Sequence, residues 1–378
     1  MARGKKGRHK LRATFRKKHE SRQRVRDVTR KFLQDEEKVE DAPGRERVSG
    51  KGELSRKRTV VGTRVEGEEG SFEVLPEVDL SQCVPGRVLA VRGLISEVLG
   101  DDGVLYECVT RRLLRTLATD DRHVVVAGDR VMVRPVQGTE GVIERVEPRR
   151  GVLGRMVRGR RHVLVANVDR IAIVASVAQP ILKPNLIDRL LIAAEMSRIE
   201  PLICLNKIDL VDPAELQPLA GVYGQLGYRL FFLSAASRFG IARLADELAG
   251  CQTVFVGQSG VGKSSILNAI DPSLQLRVAE VSKASEKGRH TTTTATLIPF
   301  ARGGYLVDTP GIRQMQLWDV IPEELGSAFR EFRPYLNYCR FPDCTHTHEL
   351  ECGVKAAVAA GKIDLRRYDS YCHLFAGN

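Results

Sequence analysis

The chain has 378 residues, 43% of them hydrophobic, which is enough for two or three domains with cores of their own. Its net charge of +12 is unevenly spread: residues 1–64 hold 22 of the 59 Lys and Arg and 9 of the 47 Asp and Glu, and the remaining 37 basic and 38 acidic residues nearly cancel. No apolar run reaches the roughly 18 residues of a membrane span, the start Met-Ala-Arg-Gly-Lys-Lys is no secretory signal, and eight cysteines, three of them clustered, suit a reducing cytosol with one metal site.

Residues 1–70 are charged and poor in aromatics, and are expected to be a disordered basic tail, with a basic helix over 15–39 and linker over 44–70. Such a tail suits a polyanionic partner such as RNA, or serves only as a solvated extension. Residues 80–150 carry short β-rich runs at 87–91, 105–108, 124–126, 130–135 and 141–146, punctuated by glycines. Five short strands in this space predict a small all-β barrel of the OB type, although SH3-like barrels share the pattern. Residues 160–320 alternate strand and helix as a doubly wound α/β domain: strands at 171–176, 201–205, 229–234 and 251–256, helices at 186–198, 214–226, 240–248 and 263–269, and a strand pair at 297–300 and 304–307. Residues 323–378 read as helices around a Cys/His knot.

The α/β segment holds three motifs of nucleotide chemistry. Gly257-Gln258-Ser259-Gly260-Val261-Gly262-Lys263-Ser264, followed by Ser265, is a P-loop between an apolar strand and a helix. Its glycines let backbone N–H groups curl around phosphates at a helix N-terminus. Lys263 is expected to reach the β- and γ-phosphates, and the Ser264 hydroxyl to ligate Mg²⁺. Asn206-Lys207-Ile208-Asp209 is an NKxD box. Asp209 can accept from guanine N1–H and the 2-amino group, a donor pair that adenine lacks. Asn206 can donate to O6 and brace the loop, and the Lys207 stem can lie over the base. Ser234-Ala235 fits the short box that touches the base through backbone N–H groups. Asp308-Thr309-Pro310-Gly311 is a DxxG box, with Asp308 expected to hold Mg²⁺ through water and the Gly311 N–H to sense the γ-phosphate.

The order is NKxD, P-loop, DxxG, whereas an ordinary small GTPase runs P-loop, DxxG, NKxD. The GTPase domain is therefore read as circularly permuted. The residue after Gly311 is Ile312, which cannot orient water as the Gln of Ras-like enzymes does. Between the P-loop and DxxG lies Gly288-Arg289-His290-Thr291-Thr292-Thr293. Thr292 or Thr293 is expected to complete the Mg²⁺ shell as switch I, and His290 either orients the attacking water or faces RNA or solvent. Cys339, Cys344, His346 and Cys352 offer three thiolates and an imidazole, a tetrahedral set for one structural Zn²⁺, with His348 as a competing ligand. Lys355, Lys362, Arg366 and Arg367 flank this knuckle and suggest contact with RNA.

Taken together, the chain resembles the RsgA (YjeQ) family of small-subunit-dependent GTPases over residues 84–375. The resemblance rests on Gly128-Asp129-Arg130-Val131, Ala166-Asn167-Val168-Asp169, Ile187-Asp188-Arg189, the permuted motifs, the switch I stretch and the Cys/Cys/His/Cys knuckle. It implies an OB barrel, a permuted GTPase and a C-terminal zinc domain. It also implies a protein that binds the small (30S) ribosomal subunit and its rRNA and turns GTP into GDP late in subunit maturation, with hydrolysis stimulated by the subunit and His290 as a candidate catalytic group. The chain is further expected to be a cytoplasmic monomer. The alternative is an RNA-binding assembly scaffold with a regulatory, weakly hydrolytic GTP site, which Ile312 keeps open.

Overall fold

The computed structural model describes residues 9–14, 57–66, 72–76, 78–111, 114, 124–157, 160–276, 295–308 and 322–377. The first three strands, β1 (His9–Thr14), β2 (Lys57–Glu66) and β3 (Phe72–Pro76), form an antiparallel sheet in the order β1-β2-β3. Over these stretches the expectation of a disordered tail is corrected. The charge hid the β-branched run Thr59-Val60-Val61 followed by Thr63 and Val65 in β2, which favours a pleated strand. The basic helix expected over 15–39 lies outside the described residues.

Next comes a five-stranded barrel: β4 (Val84–Arg92), β5 (Ile95–Gly100), β6 (Leu105–Thr110), β7 (Arg130–Gln137) and β8 (Glu140–Val146). The strands run β4-β5-β6-β8-β7 and close by pairing β7 with β4, with β6 and β8 parallel and the other pairs antiparallel. This is OB-like closure. Alternation along each strand sends Val88, Val98, Tyr106, Cys108, Val131, Val133 and Ile143 inward. Two sequence readings differ. Val124–Val126 is not a strand but a buried turn, with the Val126 N–H donating to Asp129 Oδ2 at 2.8 Å. The fifth strand is instead Ile95–Gly100, whose alternation is broken up by Ser96, Glu97 and Gly100. A hairpin, β9 (Leu153–Val157) with β10 (Arg160–Val165), follows the barrel and was not anticipated.

The α/β domain comprises β11 (Arg170–Ser176), α1 (Pro184–Met196), β12 (Glu200–Asn206), α2 (Gln217–Gln225), β13 (Arg229–Leu233), α3 (Ile241–Leu248), β14 (Gln252–Val256), α4 (Lys263–Ile270), β15 (Thr296–Pro299) and β16 (Tyr305–Asp308). Its sheet runs β13-β12-β11-β14-β16-β15, parallel except for β15 at the edge. Strands β12 and β14 are buried on both faces because helices cover both: α1 and α2 over a core around Ile173, Leu191 and Ile203, and α3 and α4 over one around Val174, Leu244 and Ile266. Edge strand β15 also pairs with the barrel, Thr296 opposite Ala90, so one sheet runs through both domains.

The C-terminal unit holds α5 (Pro322–Ala328), a 3-10 turn Arg333–Tyr338, α6 (Gly353–Ala359) and α7 (Leu365–Phe375). Phe329, Phe332 and Tyr371 form its centre, with ring centroids 4.9–5.4 Å apart, and Ile192 of α1 joins that core.

Candidate functional site

Ligand loops of an open parallel sheet leave the C-terminal ends of its strands. Here β14 ends in the P-loop, β12 in the NKxD box, β13 in Ser234-Ala235, and β16 in Asp308. Asn206 ties three of these loops together. It is 1% exposed, donates from Nδ2 to the Val261 carbonyl at 2.8 Å, and accepts at Oδ1 from the Ala235 N–H at 3.2 Å. Of the two tasks expected of it, bracing is the one its contacts show. The Ala235 N–H is also engaged with Asn206, so in this state it does not point to a base.

Lys207 adopts left-handed backbone, φ 68° and ψ 35°, and starts the 3-10 turn Ile208–Leu210. That turn brings Asp209 to the surface, where its carboxylate has no hydrogen-bond partner among the described residues. The Lys207 ammonium donates to the Gly260 carbonyl at 2.9 Å and to the Gln179 carbonyl, which spans the P-loop and the loop before α1. Ser234 is buried, and its Oγ accepts from the Ser237 N–H at 3.1 Å.

The P-loop has the backbone its glycines permit. Gly257, Gly260 and Gly262 stand at φ 143°, 80° and 96°. A Cβ on Gly262 would lie 2.3 Å from Asn206 Nδ2, so the residue must be glycine for the brace to form. The Lys263 ammonium curls over its own loop, donating to the carbonyls of Gly257 at 2.7 Å and Gln258 at 2.6 Å. Ser264 and Ser265 follow Lys263 in the first turn of α4 and are half-buried, while in the loop Val261 is buried, Gln258 half-buried and Ser259 exposed. Asp308 closes β16 opposite Thr296. His290, Thr292, Thr293, Gly311 and Ile312 lie outside the described residues.

Several stretches that carry the family resemblance, together with Gln252, which the sequence reading passed over, hold the structure together between and within domains. Gln252, a polar residue in the strand that feeds the P-loop, accepts from Arg87 of the barrel at 3.0 Å and donates to the Ala166 carbonyl at 2.7 Å. Asn167 donates to the Gly128 carbonyl at 2.8 Å, and a Cβ on Gly128 would meet the Ala166 carbonyl at 2.1 Å. Asp129 is held by Arg149 through two contacts, at 2.8 and 2.9 Å. On the other side, Asp188 of α1 is fully buried and accepts from Arg367 (2.7 Å), Arg366 (2.8 Å), Ser370 (2.6 Å) and Tyr223 (2.7 Å). Arg367 also forks onto Glu331 at 2.6 and 3.2 Å, and those carboxylates hold its guanidinium charged against burial. Glu195, about two turns further along the same face of α1, takes Arg330 at 2.6 Å and Arg333 at 2.8 Å.

The knuckle residues come together. The ligand atoms of Cys339, Cys344, His346 and Cys352 all lie within 4.8 Å of one another. His346 Nδ1 sits 3.5 Å from Cys339 Sγ and 3.4 Å from Cys352 Sγ, and the two sulfurs are 3.9 Å apart. A tetrahedral Zn²⁺ site, with Zn–S about 2.3 Å and Zn–N about 2.0 Å, needs sulfurs about 3.8 Å apart and S···N about 3.5 Å. The donor set therefore fits zinc. Burial pushes the Cys344 thiol up to about 12 and raises that of Cys352, so a cation among them is what would hold them as thiolates. Burial also lowers His346, which favours the neutral imidazole that a metal takes. His348 is not the competitor it was in sequence: its side chain is 80% exposed and lies against Thr345, Thr347 and Glu349. Tyr368 and Tyr371 hold the ligand loop by donating to the carbonyls of His346 and Thr345 at 2.8 and 2.6 Å.

Most of the basic flank is engaged within the fold. Lys355 caps the loop carbonyls of Thr347 (3.1 Å) and Glu349 (2.9 Å), and Arg366 and Arg367 are spent on Asp188 and Glu331. Of the four, only Lys362 stands exposed without an ion pair among the described residues.

Comparison with known proteins agrees with this geometry. The RsgA GTPase family profile matches residues 146–318. The small ribosomal subunit biogenesis GTPase RsgA of Sodalis glossinidius (strain morsitans) is 41% identical over 302 residues, covering 78% of this chain and 86% of the relative. The crystal structure of YjeQ from Thermotoga maritima superposes with TM-score 0.65 at 36% identity over 78% of this chain and 98% of that one. The crystal structure of YloQ, a circularly permuted GTPase, gives TM-score 0.62 at 28% identity over 80% and 96%. A barrel, a sheet whose nucleotide motifs run in permuted order and a zinc-fitting knuckle thus coincide with sequence identity along most of the chain, which belongs to the RsgA family of circularly permuted GTPases.

Proposed function

We propose that this chain binds the small (30S) ribosomal subunit, hydrolyses GTP to GDP and phosphate late in that subunit's maturation, and is released as a result, with hydrolysis stimulated by the subunit. The observation that carries the reading is the Asn206 brace, which gathers the P-loop, the NKxD box and the Ser234 loop at one end of the sheet. Asp209 selects guanine with its exposed carboxylate. Lys263 exchanges its two loop carbonyls for the β- and γ-phosphates when nucleotide enters. Ser264, Asp308 and a switch I threonine, Thr292 or Thr293, would hold Mg²⁺, which neutralises charge developing on the phosphates. His290 positions the attacking water in the absence of a Gln after the DxxG box, and Gly311 reads the γ-phosphate through its N–H.

Four ligands from the protein make the zinc site structural rather than catalytic. The domains divide as tail (1–70), barrel (80–150), GTPase (160–320) and zinc domain (323–378). The tail contributes salt-dependent attraction to rRNA, and the protein works as a cytoplasmic monomer. No helix among the described residues is long and apolar enough to cross a membrane.

Co-sedimentation with purified small subunits tests the reading. Binding is expected with a non-hydrolysable GTP analogue and loss of binding with GDP. Equal binding in both states would remove the release step, and no binding in either would remove the partner. A scaffold with a nearly inert GTP site, the second reading that Ile312 supports, would bind the subunit without accelerated turnover.

A further inference from the structure

Register fixes the outward face of β5, β6 and β8. Ile95 pairs with Val109 and Val109 with Val142, Glu97 with Glu107 and Glu107 with Glu140, and Leu99 with Leu105. Their neighbours Val98, Tyr106, Cys108 and Gly141 are buried in the barrel, so these residues point outward. The face is therefore a row of three carboxylates running across three strands between two aliphatic rows. Ile95, Leu105 and Val109 are exposed by 45%, 50% and 48%.

The barrel itself does not call for this arrangement, because like charges opposite one another on paired strands are destabilising. Elsewhere the barrel matches its carboxylates to cations: Glu144 to Arg111 at 3.1 Å and Arg134 at 2.9 Å, Asp129 to Arg149 at 2.8 Å. In the row, Glu97 has Arg92 at 3.0 Å, while Glu107 and Glu140 have no cationic partner among the described residues. The barrel closes through β4 and β7, so this face has no free strand edge and a partner is held through side chains.

We propose that this face docks a Lys/Arg-rich polypeptide segment of the small subunit, with the cations over the carboxylate row and their aliphatic stems on the flanking rows. This rests on the reading of the chain as a small-subunit factor. It separates the barrel from the usual expectation for its fold: a row of carboxylates repels phosphates, and the face presents no aromatic ring on which a base can stack. A second copy of the chain is equally unsuited, because a two-fold contact would set carboxylates against carboxylates.

The test is photo-crosslinking from benzoylphenylalanine placed at Val109 of the full chain, bound to purified small subunits with a non-hydrolysable GTP analogue. Co-sedimentation of the unlabelled chain comes first, and its failure overturns the small-subunit reading itself. With binding established, the expected product is a crosslink to a Lys/Arg-rich stretch of a subunit protein, located by mass spectrometry. Glu107→Lys with Glu140→Lys should abolish that crosslink and weaken subunit affinity about threefold to tenfold, as loss of two exposed ion pairs would, with basal GTP turnover unchanged. A crosslink to rRNA, a crosslink to the chain's own residues 1–64, no crosslink, or undiminished crosslinking in the charge-reversed variant would each overturn the proposal.

Discussion

Asp188→Ala removes the acceptor at the centre of the contact between α1 and the C-terminal unit. Four hydrogen bonds, at 2.6 to 2.8 Å, end on its two oxygens. The variant leaves Arg367, fully buried, with Glu331 as its remaining charge partner. Removing one partner of a buried pair costs about 3–5 kcal/mol, because the other charge stays desolvated. Glu331 retains part of the compensation, so about 3 kcal/mol is expected. At a urea slope of about 2 kcal/mol per M, that moves the unfolding midpoint of the C-terminal unit down by about 1.5 M. Hydrogen exchange followed by mass spectrometry reads α7 separately from α4, and protection should fall in α7 while the P-loop helix and GTP affinity change little. A midpoint shift under about 0.5 M, or equal loss of protection in both helices, would refute the idea that this network anchors the zinc unit to the GTPase domain.

Three further outcomes follow from the site. Asp209→Ala should lower the preference for GTP over ATP by about 10²-fold, since an adenine ligand would no longer leave that carboxylate without its donors, and competition binding with both nucleotides measures it. Cys344→Ser should lose the one Zn²⁺ expected per chain and loosen the C-terminal unit while leaving GTP binding largely intact; metal analysis of protein purified without chelator that finds no zinc in the wild type would contradict the knuckle. Deleting residues 1–64, which carry 22 Lys and Arg, should flatten the salt dependence of subunit binding because fewer counterions are released, and an unchanged slope would show that the tail makes no contact.

What could be read in the sequence was the local chemistry. The P-loop, NKxD and Cys/His residues specify their own turns and donors within a few positions. Long-range pairing was hidden. Asp188 and Arg367 are 179 positions apart, and nothing in either neighbourhood names the other. Asn206 was expected both to meet the base and to brace its loop, but the partners of that brace, Val261 and Ala235, depend on strand order, which spacing does not encode. Strand β5 was missed because polar Ser96 and Glu97 and the terminal Gly100 weaken its alternation, and β2 because its charge outweighed its β-branched run. The flanking arginines of the knuckle show the same limit: basic in sequence, they pair with Asp188 of a distant helix, which their own neighbourhood does not announce.

The central claim is stimulated GTP hydrolysis at this site, and single-turnover GTP hydrolysis with and without purified small subunits tests it most directly. The account predicts slow turnover alone, strong acceleration by the subunit, loss of both in Lys263→Ala, and loss of about 10²-fold or more of the accelerated rate in His290→Ala with GTP and subunit affinity preserved. Turnover that the subunit leaves unchanged, or that survives Lys263→Ala, would contradict it.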